Sequence, residues 1–533
     1  MTLETAYALI AMLAALAFVG LITRRMSTPY PVLLVICGAA ITLIPGVRPP
    51  PLDPNLILLF FLPPLLYKEA FHTSWHDFTR WLRPILMLAI GLVAATVLAV
   101  GLTAKLLFPA LPWPVCFILG AIVSPTDTVA AMAVIHRLRV PRRLTAILGG
   151  ESLVNDATAL VALQLAIGVV LSGAFSWLDV GAEFAWTVVG GVAIGLGVGV
   201  LANMVNRLIR DTMVLFTFSI IAPYVAFAGA HAVHASGVIA VVVAGFFVAW
   251  RIHQVAADTR YQLYTVWRLV AYVIDGLCFV LVGIELPRLF MTAVEYDVPQ
   301  VLAAGAWITL AVVVARIAWV IPGAYLPMYF SPRLRKHEGG YPPLRNVMLA
   351  TWCGMRGAVS LAAAMSVPMM AGDQPFPGRD IVIACTVCVI IGTLIVQGLT
   401  LQPLIRLLGI RDDENQGEEE RLARISMIQA ALSHLDELRG RAGNDAAALD
   451  HVETGYMERL RLLIDGRIRS APGERPHPHL FEIELEALHA ERERVLSLRD
   501  KSNINDQTQT RLQEELDVAE MRLRNTRNAM GIG

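Results

Sequence analysis

The stretch Gly150-Glu151-Ser152-Leu153-Val154-Asn155-Asp156-Ala157-Thr158 sets two carboxylates, an amide and a hydroxyl at the head of an apolar run, Ala159 to Val170. Ionisable groups at membrane depth are costly, and they face a bundle interior or a water-filled path. On a helix, Ser152 and Asp156 are four apart and share one face, while Glu151 and Asn155 share the neighbouring face. The first face offers a carboxylate and a hydroxyl, hard oxygen ligands suited to a small hard cation. The second offers a carboxylate and an amide, an attachment point for a buried arginine. The plainer alternative makes Asp156 a polar group of helix packing, satisfied by its neighbours.

Two other apolar segments carry polar residues where the run breaks. In 113–135 the break is Ser124-Pro125-Thr126-Asp127-Thr128. Pro125 removes a backbone donor and clashes with the preceding turn, and Asp127 is a second acid at depth. In 346–370 the break is Cys353-Gly354-Met355-Arg356-Gly357-Ala358-Val359-Ser360, with glycines around a buried arginine. Broken spans at matching places of two halves point to a transport site in an inverted-repeat transporter. Taken singly, Pro125 reads as a kink and the glycines as close helix packing. Glu69 closes the third apolar segment, after Phe61-Leu-Pro-Pro-Leu-Leu-Tyr67. Arg316 lies mid-span and reads as a counter-ion for a buried acid. Asp275 reads equally as a span residue or a loop end. His231 and His234 are too few for a metal site without a third ligand.

The elements that hold these residues follow from composition. The chain has 533 residues, 56% hydrophobic and 16% charged, with a mean hydropathy of +0.60. Soluble domains carry about 25% charged residues, so an all-α polytopic membrane protein is expected. Apolar windows of membrane-crossing length fall near 4–23, 29–45, 55–71, 83–108, 113–135, 143–172, 182–205, 212–231, 236–251, 268–288, 299–329, 346–370 and 380–408, about thirteen spans. The break in the fifth is matched seven spans later, in the twelfth. Arginines crowd the odd-numbered connections: Arg24 and Arg25; Arg80 and Arg83; Arg137, Arg139, Arg142 and Arg143; Arg207 and Arg210; Arg251 and Arg260; Arg333, Arg335 and Arg345. The positive-inside rule then puts the N-terminus outside and the C-terminus in the cytoplasm of a multi-pass cell-membrane protein. Met1-Thr-Leu-Glu-Thr shows no basic leader, so the first span is expected to insert and stay.

The six cysteines sit in apolar segments and read as small buried hydrophobes. Cys385 and Cys388 have the spacing of a redox pair, but inside a span that spacing is a helical i, i+3. The transmembrane part is expected over 1–409 and a cytoplasmic helical tail over 410–533. The tail opens on an acidic junction, Asp412 to Glu420. Leu422, Ile425, Ile428, Leu432, Leu435 and Leu438 then recur at helical spacing, as do Leu512, Leu516, Ala519 and Leu523. Arg467 to His479, with three prolines, reads as a linker. The tail carries no glycine-rich nucleotide fingerprint. No cofactor, enzymatic activity or nucleic-acid partner is expected; a solubilising role and helix pairing in a dimer both fit.

Ser124-Pro-Thr-Asp127-Thr-Val-Ala, Gly150-Glu-Ser-Leu-Val-Asn155-Asp156-Ala and Gly354-Met-Arg356-Gly-Ala-Val-Ser360-Leu-Ala resemble the signature spans of the monovalent cation:proton antiporter-1 family, the sodium/proton exchangers. Phe61-Leu-Pro-Pro-Leu-Leu resembles the third span of that family, and the likeness covers roughly 5–409. Thr128 departs from the pattern, since many members have proline there. The resemblance implies a homodimer in the lipid bilayer, with two broken helices crossing near Asp156 in a mobile core that carries the ion. Asp127 and Arg356 would offset the helix-end charges. Asp156 would be the exchanging carboxylate and monovalent-cation ligand, with Thr126, Ser152 and Glu69 completing the shell. Glu151 would form a structural ion pair with Arg356 or Arg316. Asn155 beside Asp156, where electrogenic relatives have two acids, implies electroneutral exchange of one Na⁺ for one H⁺.

Na⁺, Li⁺ and K⁺ are not separated by these residues, since selectivity depends on cavity size and ligand flexibility. A potassium/proton antiporter on the same scaffold is therefore the first rival. A channel would need a repeated carbonyl-rich filter, and none is visible. An intramembrane enzyme would need a base near a serine, and no histidine falls near Ser152, Ser124 or Ser360 in the motifs; an aspartyl mechanism would need two close acids, for which Asp127 and Asp156 formally serve.

Overall fold

Long apolar runs become long helices because a backbone in lipid must satisfy its own hydrogen bonds. The computed structural model describes residues 3–22, 30–42, 54–127, 131–132, 135, 140–172, 177–209, 211–292, 298–410, 415–439, 446–465 and 480–529. Thr128, Arg24, Arg25, Arg137, Arg139, Arg210, Asp412 to Glu414 and Arg467 to His479 lie outside the described residues.

The chain forms two compact units, one of 1–73, 78–252 and 266–411, the other of 74–77, 253–265 and 412–533. Counting with the first unit two helices that begin in the second, Trp75–Arg80 and Ala257–Thr292, helices run in order as α1 (Leu3–Ile22), α2 (Tyr30–Ile41), α3 (Pro54–His72), α4 (Trp75–Arg80), α5 (Leu82–Leu107), α6 (Trp113–Val123) and α7 (Arg142–Ser172). There follow α8 (Trp177–Leu208), α9 (Thr212–Ala232), α10 (Gly237–Arg251), α11 (Ala257–Thr292) and α12 (Val298–Phe330). The last are α13 (Pro332–His337), α14 (Leu344–Trp352), α15 (Ala358–Met365) and α16 (Arg379–Leu407). Eight of the described helices are long and apolar enough to cross a membrane, with shorter apolar helices at Tyr7–Ile22, Tyr30–Ile41 and Trp113–Val123.

Each expected window overlaps a helix, and the two expected interruptions are real. After α6 the chain leaves the helix at Ser124 to Asp127, and between α14 and α15 it does so at Cys353 to Gly357. Two features were not foreseen. A π-helical turn, Met87–Leu92, interrupts α5, and a two-residue hairpin pairs Met370–Ala371 with Gln374–Pro375 before α16. The hairpin turns at Gly372, whose φ of +64° favours glycine. Asp275 settles as a span residue, mid-way along α11 and 4% exposed. One core cluster joins α1, α2, α11, α14, α15 and α16 through residues such as Leu34, Phe279, Val280, Leu361 and Ile390.

The second unit holds α17 (Asn415–Arg439), α18 (Ala446–Asp465), α19 (Leu480–Asp500) and α20 (Asp506–Ala529). Ile428, Leu435, Leu449, Val452 and Tyr456 form one apolar cluster, and Met427, Leu488, Val495, Leu512 and Leu516 another. Leu422, part of the expected stripe, is 54% exposed instead. Within this unit Arg260 is 3% exposed and grips Asp517 with both prongs, Nε to Oδ2 at 3.0 Å and Nη2 to Oδ1 at 2.5 Å. Arg492 adds bonds to Asp517 at 3.0 Å and to Glu520 at 2.8 Å.

Candidate ion-binding site

The two breaks meet. The backbone N–H of Asp127 donates to the carbonyl of Met355 at 2.7 Å. This joint leaves three helix ends buried together: the C-termini of α6 and α14 and the N-terminus of α15. A helix C-terminus carries about half a negative charge and an N-terminus about half a positive one. Each end has an opposite charge against it. Arg356, fully buried, donates from Nε to the carbonyl of Val123 at the end of α6, 2.9 Å away, and from Nη1 to Gly354. Arg316 donates to Ala350 at 2.9 Å and to Thr351 at 3.1 Å, in the last turn of α14. Asp127 accepts, through Oδ2, the N–H of Ala358 at the start of α15, at 3.4 Å.

The sequence offers Arg356 two partners, the Glu151 carboxylate or a helix end, and it bonds the second. Among the described residues its bonds go to carbonyls, because a helix end supplies the negative potential a carboxylate would have supplied. The buried ion pair belongs to Arg316, which meets Glu151 through Nη1–Oε1 at 2.5 Å and Nη2–Oε2 at 3.0 Å. Both glycines of the second break are needed for closeness. A Cβ on Gly354 would lie 2.6 Å from Arg316 Cδ, and one on Gly357 would overlap the Asp127 carboxylate.

The faces of α7 separate as helical spacing dictates. Glu151 and Asn155 point to Arg316 and Thr126: Asn155 Nδ2 donates to Thr126 Oγ1 at 2.7 Å, and that hydroxyl donates to Glu151 Oε1 at 3.2 Å. Ser152 and Asp156 turn to a cavity that Leu65, Glu69, Pro125, Asp127, Asp275 and Ser360 also line. Its volume is about 10 Å³, the room one water-sized particle needs. Ser152 Oγ donates to the Thr126 carbonyl at 3.0 Å, so Thr126 supports the cavity through Ser152 and does not line it. Asp156 is 3% exposed, and its carboxylate accepts no hydrogen bond among the described residues. Glu69 Oε2 and Ser360 Oγ are likewise buried without partners among those residues.

Three residues of this neighbourhood went unassigned in the sequence. Ser360 sits inside a quoted motif, but its i, i+3 relation to Gly357 gave no reason to single it out. Asp275 lacked a fixed span start. Lys68 escaped notice beside Glu69, yet its Nζ bonds Asp275 Oδ2 at 3.0 Å. Four carboxylates, Glu69, Asp127, Asp156 and Asp275, thus line one buried cavity with Lys68 at its edge. Isolated buried charges are strongly disfavoured, and a cavity so lined is chemically suited to take up protons or cations.

Comparison with known proteins agrees with this chemistry. The profile of the family described as "Sodium/hydrogen exchanger, transmembrane" matches residues 9–407. An uncharacterized Na(+)/H(+) exchanger of Mycobacterium tuberculosis is 33% identical over 524 residues, 97% of this chain and 95% of the relative. A sodium, potassium, lithium and rubidium/H(+) antiporter of Bacillus pumilus is 28% identical, across 97% of this chain and 78% of its own length. The fold matches that of the sodium proton antiporter MjNhaP1 of Methanocaldococcus jannaschii, with a TM-score of 0.57 at 19% identity over 76% of this chain and all of that one. With two broken helices, a buried carboxylate cavity and a family match across three quarters of its length, the chain belongs to the sodium/hydrogen exchanger family of membrane transporters.

Proposed function

We propose that the protein exchanges Na⁺ for H⁺ across the cell membrane one for one, with Asp156 as the group that holds either ion. The carrying observation is the buried cavity in which the Asp156 carboxylate has no hydrogen-bond partner among the described residues. A carboxylate there binds a proton or a cation, not both, and burial favours the neutral form of a carboxylic acid. A core that moves only when Asp156 is neutralised couples the two fluxes. Ser152 and Glu69 supply further oxygens. Thr126 positions Ser152, and Asp127 holds the α15 N-terminus beside the ion. Glu151, Asn155, Arg316 and Arg356 keep the breaks in register without touching the ion.

The protein acts as a homodimer surrounded by lipid, with 1–409 as the transport domain and 410–533 as a cytoplasmic tail. Arginines on the odd-numbered connections support an outside N-terminus. K⁺ and Li⁺ are the alternative ions, supported by the name of the Bacillus pumilus relative. Everted vesicles carrying a pH-sensitive dye test the reading when NaCl, KCl or LiCl is added separately. The wild type dissipates the proton gradient with Na⁺. Asp156→Asn does not, although it reaches the membrane in normal amount. Exchange at the wild-type rate by Asp156→Asn removes Asp156 as carrier.

A further inference from the structure

Glu69 and Asp275 approach the cavity from α3 and α11. The Asp275 carboxylate is almost fully buried, with 6% of its side chain exposed, and Lys68 Nζ sits 3.0 Å from Oδ2. Lys68 is not among the cavity's lining residues and retains 19% exposure. Its ammonium therefore reaches a cavity carboxylate from outside the cavity. An ammonium is a compact point charge on a flexible four-carbon stem. It can leave a carboxylate by rotating its stem, without disturbing a helix. A small cation entering the cavity meets Asp275 beside Glu69 and Asp156, and it seeks the same oxygen that Lys68 holds.

We propose that Asp275 is a further cation-binding carboxylate of the Asp156 cavity, and that Lys68 is its tethered competitor, setting the affinity for the transported monovalent cation. This rests on the exchange reading above. The ammonium occupies the Asp275 oxygens when no cation is bound and withdraws when one enters. Removing the competitor frees a ligand, and strengthening it withholds one. A pair that merely staples α3 to α11 behaves otherwise: its loss lowers stability and leaves cation affinity alone.

The test measures apparent KM for Na⁺ and Li⁺ in proteoliposomes, together with the rise in Tm on adding each cation to purified protein. Lys68→Met lowers KM by about fivefold or more, the lower end of coupling between two ligands that share a site. Lys68→Arg raises KM, because a guanidinium holds a carboxylate in a two-pronged pair. Asp275→Asn raises KM, and adding it to Lys68→Met cancels the gain. The Tm rise moves in the same order and reads binding without transport. KM and Tm rise both within twofold of wild type in Lys68→Met and Lys68→Arg overturn the proposal, as does a gain that persists in the double variant. Should Lys68→Met fail to fold, the charge-preserving Lys68→Arg decides: an unshifted KM overturns the proposal. Activity of Asp156→Asn, assayed alongside, reports separately on the exchange reading.

Discussion

Arg356 Nε and the carbonyl oxygen of Val123 lie 2.9 Å apart, so the guanidinium of one broken span closes the helix end of the other. Arg356→Ala leaves the Val123 and Gly354 carbonyls unmet in a fully buried joint. Each unmet buried acceptor costs about 1–3 kcal/mol. Thermal unfolding in detergent is expected to fall by several degrees and the yield of folded protein to drop. Arg356→Lys rescues only in part, since an ammonium lacks the planar fork. An unchanged Tm for Arg356→Ala would show that the joint does not depend on this cap.

The Arg316–Glu151 pair makes a graded prediction. Arg316→Ala strands the Glu151 carboxylate, which is fully buried, and breaking such a pair costs about 3–5 kcal/mol. Glu151→Gln keeps a hydrogen-bonding partner for Arg316, which still holds the Ala350 and Thr351 carbonyls. Stability should therefore fall in the order wild type, Glu151→Gln, Arg316→Ala. The apolar pair Glu151→Leu with Arg316→Met should be more stable than Arg316→Ala alone. Equal losses in the two single variants contradict this division.

How far the sequence carried these conclusions varied by scale. The i, i+4 relation of Ser152 to Asp156, and of Glu151 to Asn155, is a local property of a helix, so their two faces were legible. Pro125 and the Gly354–Gly357 pair marked the breaks, because both act on the backbone of their own segment. The helix end that meets Arg356 was not legible in its own segment; only the family resemblance pointed to one. The Arg356 charge is met by the end of α6, more than two hundred residues away in sequence, and a helix-end carbonyl has no residue type to recognise. Lys68 and Asp275 were hidden for the same reason, since their pairing depends on how α3 packs beside α11. The π-helical turn at Met87–Leu92 lies in an unbroken apolar run that reads as ordinary helix.

Gly357 carries a third prediction. A Cβ there would lie 2.7 Å from Asp127 Cβ and overlap the carboxylate itself. Asp127 cannot retreat freely, because its N–H is held by Met355. Overpacking of this kind costs about 1–3 kcal/mol, and here it displaces an acid of the cavity from the α15 N-terminus. Gly357→Ala should reach the membrane yet lose about tenfold or more in exchange rate, a drop equal to roughly 1.4 kcal/mol on the barrier. Full activity in vesicles would mean the joint has slack that the structure does not display.

In the tail, the Glu520 carboxyl is pushed up by burial, but the hydrogen bonds and charges of Arg492 and Arg524 outweigh this and hold it below its ordinary value. A lowered folded-state pKa gives stability that is present above the unfolded value, about 4.3, and lost as pH falls through the folded value. The Asp517 carboxyl moves the opposite way: burial raises it beyond what Arg260 and Arg492 recover. Acid loosening of the tail should therefore be eased by Glu520→Gln and not by Asp517→Asn. Limited proteolysis of the full chain across pH 3 to 7, scored by loss of the tail, checks this. A steeper acid limb in Glu520→Gln would reverse the sign.

Charge balance in the cavity predicts the response to voltage. Glu151 is matched by Arg316, Asp275 by Lys68, and Asp127 lies against the α15 N-terminus. Of the cavity carboxylates, neither Glu69 nor Asp156 bonds to a basic side chain among the described residues. Asn155, beside Asp156, carries no charge and is tied to Thr126. If Asp156 alone exchanges, one proton leaves for each Na⁺ that binds and no net charge moves. Moving a full charge across 100 mV is worth about 2.3 kcal/mol, enough to change a rate about fiftyfold at most. Exchange in proteoliposomes, with potential clamped by K⁺ and valinomycin and Na⁺ as the exchanged ion, should keep both its rate and its end-point gradient. A gradient that shifts with the imposed potential would rule out one-for-one exchange and make Glu69 the second titrating acid. Glu69→Gln would then restore insensitivity to potential while Asp156→Asn stays inactive.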